Sequence, residues 1–380
     1  MLCRALTVTL LAAATAVAAD PLPPTVAEVD KLIDQAQAFL LSQAEPGGKF
    51  MKGEKFVLGI SGLAAEALAT APKAIPADDP RIAATLSYMG GFQQPDGGVY
   101  DPAEGIGNYN TCIALMLWTA TGKGTTAQIS KAQEYIFSLQ NKDAKNPSLG
   151  GMGYGSKGPG WEDLSNTSWA IAALRGSGVP SSDPRMQEAL KFLERCQDLS
   201  SVNKLPWARD SGGAVYSPDE SKAEGSWNRE ALKPGEAPPK LEPYASMTYA
   251  LISSYVVLDL KPEDPRVAAA LGWVKAHWTF DRNPGMVNTA KKPTADQQGL
   301  YYYFRVASKT FEKVKPGVIE LKDGTKVDWR RDLFDAIAKR AKIEGDKAFW
   351  SNEQDRWAEG MPTLTTSYVL RSLKGIRASL

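Results

Sequence analysis

Histidine is almost missing from this 380-residue chain, where His277 is the only one. It lies in Trp273-Val274-Lys275-Ala276-His277-Trp278, an amphipathic helical stretch without a nucleophile motif. A Ser-His-Asp or Cys-His enzyme, or a multi-histidine metal site, would need this one ring, so a helix-packing role is expected. Cysteine is nearly as scarce. Cys3 falls in the leader discussed below, which leaves Cys112 and Cys196, and no CxxC occurs. Two separated thiols make neither a zinc knuckle nor a disulfide framework. Carboxylates are the main remaining ligands and suit harder cations, so no catalytic zinc is expected.

An excess of either charge is also lacking. The 44 Lys and Arg stand against 43 Asp and Glu, and without Arg4 the balance is zero. No long basic run is present, which disfavours nucleic acid and anionic membranes as partners. Beyond the N-terminus no apolar stretch reaches about 18 residues, so no integral membrane segment is expected after the leader. Two motif matches fail on context. Gly153-Tyr154-Gly155-Ser156-Lys157-Gly158 fits GxGxxG but follows no strand, and Asn141 to Asn146 has Lys145 where a calcium loop needs a ligand. No cofactor is expected.

Residues 1–19 have the pattern of a secretory signal peptide. Arg4 is the only charge, Ala5 to Ala16 is apolar, and small residues follow, Val17-Ala18-Ala19 before Asp20 or Ala16-Val17-Ala18 before Ala19. The expectation is an exported chain, 20–380 forming one domain, in a bacterial periplasm, cell envelope or extracellular space.

What the sequence does contain is an internal repeat. Asp79-Pro80-Arg81-Ile82, Asp183-Pro184-Arg185-Met186 and Asp264-Pro265-Arg266-Val267 align without gaps. Each runs on to a leucine and an aromatic-apolar pair: Tyr88-Met89, Phe192-Leu193 and Trp273-Val274. Asp caps the free N–H groups and Pro takes the first helical position, so each marks a helix start. A fourth copy is expected to cap at Thr126. Glycine pairs follow each such helix (Gly47-Gly48, Gly97-Gly98, Gly150-Gly151, Gly212-Gly213), and then a more apolar helix. An amphipathic helix paired with a nearly all-apolar one implies two concentric layers. About six such hairpins, with no recognisable strand, predict an all-α fold: an α/α toroid with a central cavity where the long loops collect.

The stretch Lys131-Ala132-Gln133-Glu134-Tyr135-Ile136-Phe137-Ser138-Leu139-Gln140, followed by Gly150-Gly151, resembles the glutamine-aromatic repeat of squalene-hopene cyclases and protein prenyltransferase β-subunits. Tyr88 to Gln93 and Phe192 to Gln197 repeat it before their own glycine pairs. The resemblance covers the whole chain after the leader and looks closest to secreted bacterial prenyltransferase/squalene-oxidase repeat proteins. It implies the toroid fold. Squalene cyclases protonate their substrate from an Asp-x-Asp-Asp-Thr motif, and the matching stretch is Asp163-Leu164-Ser165-Asn166-Thr167. Asp163 and Thr167 survive, but Ser165 and Asn166 replace the acid pair, and neither protonates an alkene. The Asp, Cys and His zinc set of prenyltransferases, the thioester motif of complement-like toroids and a DDxxD diphosphate motif find no match.

Candidate site residues cluster where loops meet inner helices. Asp163 is the catalytic candidate as the residual acid and Trp161 a ligand platform; as structure, they are a cap and a loop-packing side chain. Asn110 and Asn166 sit at helix starts with the same two readings. Cavity-wall aromatics are expected among Tyr109, Trp169, Tyr244, Tyr249, Tyr301, Tyr302, Tyr303 and Tyr368, with core packing as the alternative. Tyr301, Tyr302 and Tyr303 cannot all face one way on a helix. A loop-borne group, Trp207, Asp210, Trp227, Trp357 and Glu359, is less easily explained as core. The expected partner is an apolar or amphipathic small molecule, of which isoprenoids are one class, or a glycan. The alternatives are a diverged terpene cyclase, a glycan-active lyase or hydrolase using loop carboxylates, and a structural or protein-binding envelope component. A glycosidase needs two carboxyls facing across roughly 5–10 Å, whereas a cyclase needs a dry aromatic chamber.

Overall fold

The structure is a computed structural model that describes residues 20–53, 55–155, 161–223 and 241–380. Residues 1–19, expected above to be a signal peptide, and Trp227 lie outside the described residues. Among the described residues, twelve α-helices alternate between two layers. The outer ones are α1 (Val26–Ser42), α3 (Pro80–Gly91), α5 (Thr126–Ser138), α7 (Pro184–Cys196), α9 (Pro265–Ala276) and α11 (Trp329–Ala338). The inner ones are α2 (Val57–Ala69), α4 (Gly107–Thr121), α6 (Leu164–Gly176), α8 (Ala245–Val257), α10 (Leu300–Val314) and α12 (Pro362–Ala378). Each inner helix packs on the next, from α2 round to α12, and α12 packs back on α2. The ring is closed.

Burial follows the layers. In α8 every residue from Ala245 to Tyr255 is buried, while α7 buries one stripe, Met186, Ala189, Phe192, Leu193 and Cys196. A helix enclosed on all sides must be apolar all round, and a helix on the rim needs only one apolar face. The three Asp-Pro starts behave as expected. Asp79, Asp183 and Asp264 accept the backbone N–H of Arg81, Arg185 and Arg266 at 2.8–3.0 Å, and each arginine closes back on the same carboxylate. In the fourth copy the cap is Thr125, not Thr126, because Gln128 completes a capping box with it.

The glutamine-glycine repeat is a structural staple. The Nε2 groups of Gln93, Gln140 and Gln197 each donate to two carbonyls, one in the glycine loop and one on the following outer helix. Gly97, Gly150 and Gly212 have φ between +82° and +93°, and a Cβ there would collide with the Lys131, Glu188 or Ala269 carbonyl. The residue after each glycine pair is tied inward. Val99, Met152 and Ala214 donate their N–H to Thr111, Thr167 and Thr248 of the inner helices at 2.9–3.0 Å. Each loop is thus pinned between two layers.

The expectation of no strands needs a correction. Among the described residues, two short antiparallel ribbons are present, β1 (Ile319–Glu320) with β2 (Lys326–Val327) and β3 (Lys342–Glu344) with β4 (Lys347–Phe349). Their tips use Gly324 and Gly345 at positive φ, and two or three residues per strand are too few to show alternation in a sequence.

Candidate functional site

A cavity of about 400 Å³ opens at the N-terminal ends of the inner helices, and all six contribute to it from their first two turns. This size falls within the roughly 300–1,000 Å³ of small-molecule sites. Its walls are mainly aromatic. Tyr109 of α4, Trp169 of α6, Tyr302 of α10 and Tyr368 of α12 face it, with Tyr244 at the cap of α8. Loops add Phe56, Tyr154, Tyr216 and Trp357. Ile60, Leu63, Ile113 and Met247 fill the spaces between.

Polar groups in the wall are few, and several bond to each other. Ser165 accepts the Tyr109 hydroxyl at 2.9 Å and pairs with the Tyr302 hydroxyl at 3.1 Å, which joins α4, α6 and α10. The Tyr154 and Tyr216 hydroxyls are 2.9 Å apart. Asn110 donates to Glu104 at 3.4 Å, while its buried Oδ1 has no protein partner.

Asp163, the catalytic candidate, does not line the cavity. Asp163 is fully buried as the N-cap of α6, accepting Asn166 N–H at 2.8 Å and Asn166 Nδ2 at 2.7 Å. Burial pushes its carboxyl up to about 6, against the hydrogen bonds from Asn166 and Tyr216. Asn166 stands behind the wall too, where its side chain also accepts from Asn108 at 3.2 Å. Ser165 is the residue of this motif that faces the cavity.

Glu359 is the one carboxyl among the described lining residues. Its Oε1 accepts the N–H of Tyr302 at 2.7 Å and its Oε2 accepts Asn352 Nδ2 at 2.8 Å, so it caps α10 from a neighbouring loop. Burial pushes it up to about 7 despite these bonds. The preceding Trp357 and Ala358 both adopt left-handed backbone (φ 62° and 64°), a costly conformation for residues with a Cβ. That turn brings the Trp357 ring beside Gly299 at the cavity wall.

Of the sequence candidates, the cavity therefore collects Asn110, Tyr109, Trp169, Tyr244, Tyr302, Tyr368, Trp357 and Glu359. Others lie elsewhere. Tyr249 packs against Tyr303 and Phe311, and Tyr301 against Phe304, because neither shares the helical phase of the lining residues. Trp207 is core after all: it is buried with Val215 and Leu241 and donates its Nε1 to Pro218 O at 2.7 Å. Asp210 is exposed and accepts from Ser200. Trp161 is half-exposed and outside the cavity lining. Phe56, Tyr154, Tyr216, Ser165 and Met247 were not singled out as cavity residues by the sequence, although Tyr154 and Tyr216 share a Gly-Gly-x-x-Tyr spacing that marks them.

Metal ligands do not assemble here. Among the described residues no three His, Cys, Asp or Glu side chains come together. Cys112 and Cys196 are free and buried, and burial pushes both thiols up. His277 is exposed at the end of α9, stacked on Trp273 at 4.0 Å. No described helix is long and apolar enough to cross a membrane.

No protein-family model matches the sequence, and no curated protein aligns with it. Solved structures do match. A D-mannose isomerase superposes with a TM-score of 0.60 at 13% identity, over 93% of this chain and 97% of that one. A variant of the type II terpene cyclase MstE from Scytonema, in complex with its product merosterolic acid A, gives 0.54 at 14% identity over 93% and 99%. Another variant, in complex with the substrate geranylgeranyl dihydroxybenzoate, gives 0.54 at 13% over the same shares. The chain is an α/α toroid. At such identities the likeness is one of fold, and the chemistry has to be argued from the cavity.

Proposed function

We propose that this toroid binds an apolar or amphipathic small molecule of isoprenoid type in its aromatic cavity, without cyclase-type protonation from the Asp163 motif. The observation that carries this reading is Ser165. It occupies the inward-facing position of the motif, where its hydroxyl is held by Tyr109 and Tyr302. Alkene protonation needs a strong neutral acid aimed at the substrate, and a serine hydroxyl is far too weak. Asp163 cannot substitute because it caps α6 from behind the wall. What remains is an aromatic surface suited to branched hydrocarbon. The similar terpene cyclase binds isoprenoid substrate and product, which fits the same reading.

A second reading, a diverged cyclase, draws support from Glu359, a buried carboxyl at the cavity wall held partly protonated near neutral pH. Its oxygens are engaged by Tyr302 N–H and Asn352, which favours the capping role. A glycosidase would need a second carboxyl across the cavity, and the described lining has only Glu359. The test is to incubate the full chain, and its Glu359→Gln variant, with farnesol and with squalene. We expect farnesol to quench tryptophan fluorescence in both proteins and no cyclised product from either. Cyclised squalene that disappears in the variant would establish the cyclase reading instead. Export to the cell envelope, with removal of the leader near Ala19, completes the proposal.

A further inference from the structure

One turn deeper than the cavity lining, the centre of the helical ring changes character. Arg305 lies one turn beyond Tyr302 on α10, 5% exposed, with its guanidinium 3.7 Å over the Trp169 ring. The Tyr302 and Tyr368 rings lie 5.9 and 5.8 Å away. No described carboxylate pairs with it, and its Nε finds no hydrogen-bond partner in the protein. Arg371, one turn beyond Tyr368 on α12, approaches the same Trp169 ring at 5.7 Å. It forms an ion pair with Glu66 of α2 at 3.1 Å, yet neither atom of that pair is aligned as a hydrogen bond.

Two lysines continue the column. Lys309 and Lys374 follow Arg305 and Arg371 by one turn, and both are partly buried. Burial, then the charges of Arg305 and Arg371, push Lys309 down to about 7. Arg305, Arg371 and Lys374 thus share the buried carboxylate of Glu66, while Lys309 and Lys374 feel Glu312 and Lys313, which carry opposite charges, farther along. The negative ends of the inner helices account for cations in a last turn, but that influence fades within a turn. Arg305 is more than two turns from Val314, where α10 ends.

Unpaired buried polar atoms gather at the same place. Trp169 Nε1 and Arg305 Nε both lack a hydrogen-bond partner and lie together, beside the poorly aligned Glu66–Arg371 pair. Buried donors left without partners are costly, and such a concentration marks a place built for a polar occupant. We infer that the centre of the ring, between Arg305 and Arg371 against Trp169, is a binding site for an oxyanion, a carboxylate or phosphate. The oxyanion is either free or the head of the amphiphile whose tail fills the aromatic cavity. Guanidinium is the natural partner for such a group. The second form rests on the proposed cavity function, and the first does not.

The test titrates inorganic phosphate, farnesoic acid and farnesol into the full chain by calorimetry, with Arg305→Gln and Arg305→Lys alongside. Circular dichroism melts confirm that each variant is folded. We expect at least one oxyanion probe to lose about tenfold or more in affinity in Arg305→Gln and to recover most of it in Arg305→Lys. Farnesol affinity should change less than about threefold. Phosphate that competes with farnesoic acid but not with farnesol identifies the ligand head as the source. Phosphate that binds without competing identifies a free anion. Oxyanion binding that is absent, or indifferent to Arg305→Gln, overturns the inference even if farnesol binds. Phosphate binding with no farnesol binding overturns the cavity reading alone.

Discussion

Replacing Asp163 by asparagine separates a cap from a catalyst. Asp163 is fully buried, and its carboxyl is raised from an ordinary 3.8 to about 6. Between about pH 4 and pH 6 the folded chain therefore keeps a proton that the unfolded chain has released. Stability must then fall as pH rises through that window, by roughly 3 kcal/mol at most, and stay lower above it. Asparagine also caps a helix and cannot ionise. The Asp163→Asn variant should lack this Asp163 contribution, so the wild-type-minus-variant difference falls across the window; the variant should lie within about 1 kcal/mol of wild type near pH 4 and be equal or more stable near pH 7. Asp163→Ala loses the cap and the acceptor that Asn166 Nδ2 and Tyr216 use, so near pH 4 it should lose about 2–4 kcal/mol. Urea unfolding followed by circular dichroism, on all three proteins across the pH range, gives the difference curves. Wild type gaining stability over the asparagine variant as pH rises would refute the reasoning, because Asp163 would then be a stabilised anion.

Other outcomes follow from the staple, the strained turn and the leader. Gln197→Leu leaves the Gly212 and Arg266 carbonyls and the Tyr255 hydroxyl without their partner. It should cost about 3 kcal/mol or more in urea unfolding. Trp357→Gly relieves the left-handed residue and should raise stability by about 1 kcal/mol while weakening farnesol binding about tenfold, both readable by thermal shift and calorimetry. Mass spectrometry of the protein recovered from the cell envelope should find the N-terminus at Ala19 or Asp20; an intact leader in cytoplasmic protein contradicts that.

Much of the fold was readable because its signals are local. An Asp-Pro start and a glycine pair act within a few residues, so Asp79, Asp183, Asp264 and the loops at Gly97, Gly150 and Gly212 stand out in the sequence. The purpose of Gln93, Gln140 and Gln197 did not, since each reaches an outer helix 35 to 69 residues away. The cavity wall was legible only up to helical phase. Tyr302 faces inward and Tyr301 does not, a rotation of about 100° that composition cannot reveal. Trp207 misled because a long loop built its own small core with Val215 and Leu241. Arg305 and Arg371 passed unnoticed as lone cations, although each follows a cavity tyrosine by three residues.

The most direct test of the account is mass spectrometry of what co-purifies with the full chain recovered from its native host, beside a Met247→Trp variant. Met247 lines the cavity and is 3% exposed, so tryptophan there fills the space the ligand needs. The account predicts an apolar or amphipathic lipid with wild type, in near-stoichiometric amount, that is lost from the variant. A co-purifying oligosaccharide, or a lipid retained equally by Met247→Trp, would contradict it.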